Sequence, residues 1–248
     1  MNQLKLKYKI LLQVQKVLGN IAFFILGNLV VFYFKYIKKY KINQIKELRK
    51  FYKNIIKKNK PLLICPNHLT MVDSALIQWA LGSIWFYLFR FDKFPWNIPA
   101  KENVEKSVLF RIITYLTKCI LIDRNGSKEH KDRIVQELAY LLTKKEPICI
   151  FIEGTRSPTG KLLEEQINYG AGQLAYDIPE TEILIIYFRG KNQTQKSDFP
   201  KKNEEFFVRY NLIKPQYHSK GFRAHREITL QILQELKNFE NEYFSFYK

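Results

Sequence analysis

Apolar positions follow two different regimes along this chain. From Val17 to Phe34 they run almost unbroken, interrupted by Gly19, Asn20, Gly27 and Asn28. That run predicts a helix rising about 27 Å, slightly short of the ~30 Å hydrocarbon core of a bilayer. Lys16 flanks it on one side and Lys35, Lys38, Lys39 and Lys41 on the other. The two internal Asn residues favour a helix lying in the interface, or partly inserted, over a clean span. No cleavage pattern follows the run, so it is expected to be retained. Basic residues on both flanks give only a slight bias toward a cytoplasmic C-terminal flank.

Beyond residue 41, short apolar runs alternate with helical stripes, which predicts α/β structure. Asn43 to Lys58 reads as a basic amphipathic helix with Ile45, Leu48, Tyr52, Ile55 and Ile56 on one side. Val104, Val108, Leu109, Ile112, Ile113 and Leu116 keep helical spacing. Ile134, Leu138, Leu141 and Leu142 mark another helix, and Ile228, Ile232, Leu233, Leu236 and Phe239 a last one. Strands are expected at Leu62–Cys65, Ser83–Phe89, Cys119–Ile122, Ile148–Ile152 and Ile183–Phe188.

Composition sharpens this picture in two ways. Apolar residues make up 46% of the 248, enough to bury a real core and to exclude large-scale disorder. Lys and Arg outnumber Asp and Glu by 41 to 23, a net charge of +18, so an anionic partner is expected. Nucleic acid, an anionic leaflet or a phosphorylated substrate all satisfy that charge. Cys65, Cys119 and Cys149 have neither metal-clip nor redox spacing and read as small core residues.

Two segments carry candidate chemistry. In Pro66-Asn67-His68-Leu69-Thr70-Met71-Val72-Asp73 a strand ends and a helix starts near Asp73. A turn there can bring the carboxylate onto one imidazole nitrogen and leave the other free as a base. The bland alternative is an Asp capping a helix beside a solvated His. Phe151 to Gly160 follows a buried strand and offers Gly154, two hydroxyls and Arg156, whose fork can grip a phosphate. Its bland alternative is a loop with an exposed Glu153–Arg156 ion pair. His130, His218 and His225 fall in charged stretches without a partner to tune them, and no catalytic role is expected of them.

Taken together, Asn67/His68/Asp73, then Ile120-Leu121-Ile122-Asp123-Arg124, then Phe151 to Ser157 resemble the glycerolipid acyltransferase family, which includes the 1-acylglycerol-3-phosphate acyltransferases. Pro99-Ala100-Lys101-Glu102 looks like that family's stretch between the first two blocks. The resemblance covers roughly residues 60–190. Ile152 stands where the family usually has Pro, Ile167-Asn168-Tyr169-Gly170 lacks an expected basic residue, and Ile185-Ile186-Tyr187 replaces a Pro-Val pair.

The resemblance implies that His68 is a general base, supported by Asp73, that activates a glycerol hydroxyl against an acyl thioester. Arg124, Glu153, Gly154, Thr155 and Arg156 would serve the acceptor phosphate, with Lys101 as a further contact. Glu153, itself anionic, is expected to orient Arg156 or the loop backbone. No metal or cofactor is implied. Acyl-CoA or acyl-carrier protein would be the donor, and a lysophospholipid the acceptor.

The expected architecture is α/β: a single domain with a mixed, largely parallel sheet flanked by helices. Residues 1–41 would form an N-terminal helical membrane anchor and residues 42–248 the acyltransferase domain, held on the cytoplasmic face of an anionic membrane. Rival readings are acylation of a different lysolipid or CoA-independent transacylation on the same fold. More distant is a basic nucleic-acid-binding protein, which would need clustered basic and aromatic residues that are not visible.

Overall fold

The computed structural model describes residues 4–105, 107–165 and 167–247. Residues 1–3 of the expected anchor lie outside them. The sheet is mixed and mostly parallel, as expected, with six strands in the order β1-β6-β5-β2-β4-β3. These are β1 (Lys41–Ile42), β2 (Leu62–Pro66), β3 (Trp96–Asn97), β4 (Ile148–Cys149), β5 (Glu182–Gly190) and β6 (Glu205–Ile213). β3, β4, β2 and β5 run parallel, whereas β6 is antiparallel to β5.

The central strands β2 and β5 are buried at every position because both faces are covered. Leu63, Cys65, Ile183 and Ile185 face a core shared with α7 (Lys128–Thr143), α8 (Gly170–Asp177) and α9 (Phe222–Phe246). Leu62, Ile64, Leu184 and Ile186 face the opposite core, under α2 (Ile45–Lys57), α3 (Asp73–Leu81) and α4 (Ile84–Phe89). The predicted stripes of α2, α7 and α9 are the faces that are buried, with Leu48, Leu138 and Ile232 among them. Cys65 and Cys149 are buried and Cys119 is partly buried; burial pushes all three thiols upward.

Four expectations need correction. Ser83–Phe89 is helical: Ser83 caps α4 by accepting the Phe86 N–H at 3.2 Å. An all-apolar run has no period to separate strand from helix, and the cap decides it here. The stripe from Val104 to Leu116 belongs to two helices, α5 (Lys101–Val104) and α6 (Val108–Leu116). Cys119–Ile122 makes only isolated bridges, Asn97 to Cys119 and Ala100 to Ile122. β4 ends at Cys149, three residues early. β6, rich in aromatic and β-branched residues, was not foreseen.

The N-terminal helix is longer than expected. α1 spans Leu6–Phe32 and continues as a π-helical turn over Tyr33–Ile37. Its 27 α-helical residues rise about 40 Å. Leu12, Gln15, Gly19, Phe23 and Gly27 form a buried stripe against the domain. Phe23 packs on Phe91 and Phe94 with ring centroids 5.5 and 5.1 Å away. A Cβ at Gly19 would sit 2.5 Å from the Leu116 carbonyl oxygen, so only glycine permits this approach to α6. The other side of α1 exposes Leu11, Val14, Leu18, Ile21, Ile25 and Leu29.

Candidate functional site

β2 and β4 lie side by side and parallel, so the segments leaving their carboxyl ends meet above the sheet. Open α/β sheets build sites at such ends. The side chain of Asn67 extends the β2–β5 pairing, accepting the Phe188 N–H at 2.7 Å and donating to its carbonyl at 3.2 Å. That fixes the start of the turn carrying His68.

His68 Nδ1 lies 3.0 Å from Asp73 Oδ2. Asp73 is the first residue of α3 and is 3% exposed. Its side chain does not cap its own helix but turns back onto the residues that precede it. Its Oδ2 also accepts the N–H groups of Leu69 and Thr70, at 2.6 and 2.7 Å, and its Oδ1 accepts the Thr70 hydroxyl. With so many donors converging, the carboxylate has little freedom to leave the imidazole. An Nδ1–H donated to it leaves Nε2 as the acceptor nitrogen. Nε2 makes no hydrogen bond among the described residues, and His68 lines a cavity of about 830 Å³.

One part of that cavity is apolar, walled by Val104, Phe110, Ile122, Ile134, Leu138 and Ile150. Another part is polar and cationic, lined by Arg124, Gly154, Thr155 and Arg156. Arg124 donates Nη2 to the Gly154 carbonyl, and its Nη1 lies 3.5 Å from Glu102. Gly154 adopts φ +63°, a left-handed conformation that suits glycine. Arg156 Nη1 donates to the Ser197 carbonyl at 3.0 Å and to Asp198 Oδ1 at 2.8 Å. Both guanidinium groups therefore border the cavity that His68 borders, each steadied by an oxygen partner.

Lys101 and Glu153 each hold partners within the protein, and Glu153 takes the backbone role that was one of its two expected alternatives. Lys101 is not among the cavity-lining residues; its Nζ is 3.7 Å from Glu105 and 3.9 Å from Asp123. Glu153 does not pair with Arg156. It is 2% exposed, and its two oxygens accept the backbone N–H groups of His68 and Leu163 at 2.7 and 3.1 Å. Burial outweighs those bonds and raises its carboxyl to about 8.

Other lining residues escaped the sequence reading. Lys131 of α7 adds a further cation to the lining. His225 also borders the cavity. His130 accepts the Asp123 N–H at 3.0 Å and lies 3.0 Å from Arg133, and burial followed by Arg133 lowers its pKa. That corrects the expectation that it has no tuning partner. Neither position had a local sequence signal, since α7 and α9 reach the cavity only through tertiary packing. Among the described residues no group of three His, Cys, Asp or Glu side chains is arranged to hold a metal ion.

The arrangement brings an imidazole held by a carboxylate, two guanidinium groups and a set of apolar side chains to one cavity. A family model described as Acyltransferase matches residues 44–188, more than half of the chain. No curated protein matches the chain.

Proposed function

The chain belongs to the acyltransferase family, and from that premise we propose that it transfers a fatty acyl group from acyl-CoA or acyl-carrier protein to the free hydroxyl of a lysophospholipid. The acceptor we infer is 1-acylglycerol-3-phosphate, and the product phosphatidic acid. The observation that carries this reading is the single cavity joining His68, the Arg124 and Arg156 guanidinium groups and an apolar wall.

In this mechanism His68 Nε2 takes the proton of the glycerol hydroxyl while its oxygen attacks the thioester carbonyl. The tetrahedral centre then collapses, the carbon–sulfur bond breaks, and the proton on His68 passes to the departing thiolate. Asp73 holds Nδ1–H and steadies the imidazolium that forms. General-base catalysis of this kind contributes about 10²–10⁴ in rate, and positioning supplies much of the remainder. Arg156 and Arg124 bind the acceptor phosphate, a task for which a guanidinium fork is better suited than an ammonium group. The apolar recess takes an acyl chain.

The membrane is the proposed source of acceptor and sink of product. The exposed apolar face of α1 supports this, together with Trp85 and Phe89 of α4 and Leu109 and Ile112 of α6. α6 also contributes Phe110 to the cavity wall, so one short helix connects the apolar surface to the site. The net charge of +18 suits an anionic leaflet, each well-placed Lys or Arg adding about 1 kcal/mol. We assign the catalytic domain to the cytoplasmic face, where such lipids and acyl thioesters coexist.

The test is labelled acyl-CoA supplied with 1-acylglycerol-3-phosphate or with lysolipids of other head groups, on anionic vesicles. Preferred labelling of the phosphate monoester supports the assignment. Equal labelling of a neutral lysolipid, or transfer without CoA, moves the assignment to the other acceptors or to transacylation.

A further inference from the structure

The segment 151–157 does more at His68 than border the same cavity. The Phe151 ring is stacked on the imidazole, with centroids 4.1 Å apart and planes 25° from parallel. Glu153 Oε1 accepts the His68 N–H at 2.7 Å. The His68 carbonyl accepts the Ser157 N–H at 2.9 Å. Ring face, backbone donor and backbone acceptor of one residue are thus all held by one heptapeptide.

We propose that Phe151 and Glu153 are positioning residues for His68, and that Glu153 serves the base rather than the acceptor head group. The proposal rests on His68 being the general base. A single hydrogen bond, Nδ1 to Asp73, leaves an imidazole free to tilt about that contact. Phe151 removes that freedom by covering one face, and its π cloud favours the imidazolium as it forms. Glu153 fixes the backbone from which the ring projects. Both of its oxygens are engaged by backbone donors and it is buried, so its hydrogen bonds are directed to the backbone around His68.

The clamp is itself anchored. Glu153 Oε2 reaches Leu163, whose neighbour Leu162 donates its N–H to Glu240 of α9 at 3.0 Å. The Ser157 hydroxyl donates to the Lys161 carbonyl, and Arg189 of β5 donates to the Gly160 carbonyl. A chain of bonds therefore runs from α9 and β5 through residues 160–163 to the base. Misplacing a reacting group by about 1 Å costs on the order of 10²-fold in rate, so this restraint falls on turnover and not on binding.

The experiment compares wild type, Phe151→Leu, Phe151→Tyr and Glu153→Gln as full chains on anionic vesicles, with acyl-CoA and 1-acylglycerol-3-phosphate. The His68 imidazole is followed by nitrogen and ring-proton NMR in the same variants. Phe151→Leu is expected to lower kcat by about tenfold or more while the acceptor KM moves less than about twofold. The His68 ring protons should lose the shift caused by the stacked ring, and Phe151→Tyr should restore both readouts. Glu153→Gln should act on kcat in the same way. An unchanged imidazole spectrum, or a loss confined to acceptor KM, overturns the proposal. A changed spectrum with undiminished kcat leaves the clamp standing and removes His68 from the role of base.

Discussion

Lys16 of the apolar N-terminal helix holds its Nζ 2.6 Å from Oε1 of Glu146, a residue of the α7–β4 turn. Oε2 of the same carboxylate accepts the Trp96 Nε1–H at 2.7 Å and lies 2.9 Å from Lys118 Nζ, which is fully buried. Beside it, Gln15 donates to the carbonyls of Tyr115 and Cys119. An otherwise greasy helix is thus bolted to the domain through one polar cluster. Burial lowers the Lys118 ammonium to about 8, and Glu146 is the counter-charge that opposes that fall.

Removing that counter-charge should be far costlier than removing the helix's own contribution. Glu146→Gln leaves Lys118 buried with only carbonyl partners, and breaking a buried pair from one side costs ~3–5 kcal/mol. Lys16→Met removes a partly exposed cation and should cost about 1 kcal/mol. Urea unfolding in mild detergent measures both. Equal losses would contradict a central role for the Lys118 pair.

The docking of α1 also sets what truncation does. Deleting residues 1–41 uncovers Phe91, Phe94 and the Glu146 cluster, so the remainder should aggregate or unfold instead of appearing as a monodisperse soluble enzyme. Gly19→Ala, which pushes a methyl into the Leu116 carbonyl, should cost ~1–3 kcal/mol. The full chain should float with anionic vesicles and resist extraction by high salt, because an apolar face is not screened. A well-behaved, active truncation would contradict this picture.

The stripes of α2, α7 and α9 were legible because one apolar face at helical spacing has one outcome. So was the His68–Asp73 turn, since strand end, His and helix-initiating Asp are local to one another. Ser83–Phe89 was not, because every residue in Ile84–Phe89 is apolar and periodicity is silent. The roles of Glu153 and Phe151 were also hidden. Both depend on β2 and β4 being neighbours, a pairing between residues about 85 apart that no local pattern encodes. The surroundings of Lys101 were hidden for a related reason: its Nζ lies near Glu105 and Asp123, and it is not among the residues lining the cavity that its neighbour Ala100 lines.

Glu153 should leave a signature in the pH dependence of stability. Its carboxyl is raised from 4.5 to about 8, with burial the main cause. A raised group contributes stability that is full below its unfolded value and is lost as pH climbs through its folded value. The advantage of wild type over Glu153→Gln should therefore shrink between about pH 5 and about pH 9. Denaturant midpoints for both proteins at the two ends of that window measure it. A constant gap would mean that Glu153 is ionised throughout.

Arg156 should report on the acceptor. Arg156→Lys keeps the charge but loses the fork, and a charge-assisted hydrogen bond is worth ~1.5–3 kcal/mol, so acceptor KM should rise by about one to two orders of magnitude. The donor KM should move much less. Asp198→Asn, which loosens the 2.8 Å tether, should raise acceptor KM more mildly. Saturation curves for each substrate separate the effects. Equal loss on both curves would make Arg156 a shaper of the site instead of a phosphate ligand.

The proposed role of His68 as the base is tested most directly by turnover of labelled acyl-CoA with 1-acylglycerol-3-phosphate on anionic vesicles. His68→Ala should lose about 10²–10⁴ in kcat. Asp73→Asn should lose less, because it removes support and leaves the base in place. Circular dichroism and vesicle binding should match wild type for His68→Ala, whose ring is partly exposed and stacks on Phe151 at the cavity and not inside either core. A folded, membrane-bound His68→Ala protein that turns over at near the wild-type rate would contradict the mechanism.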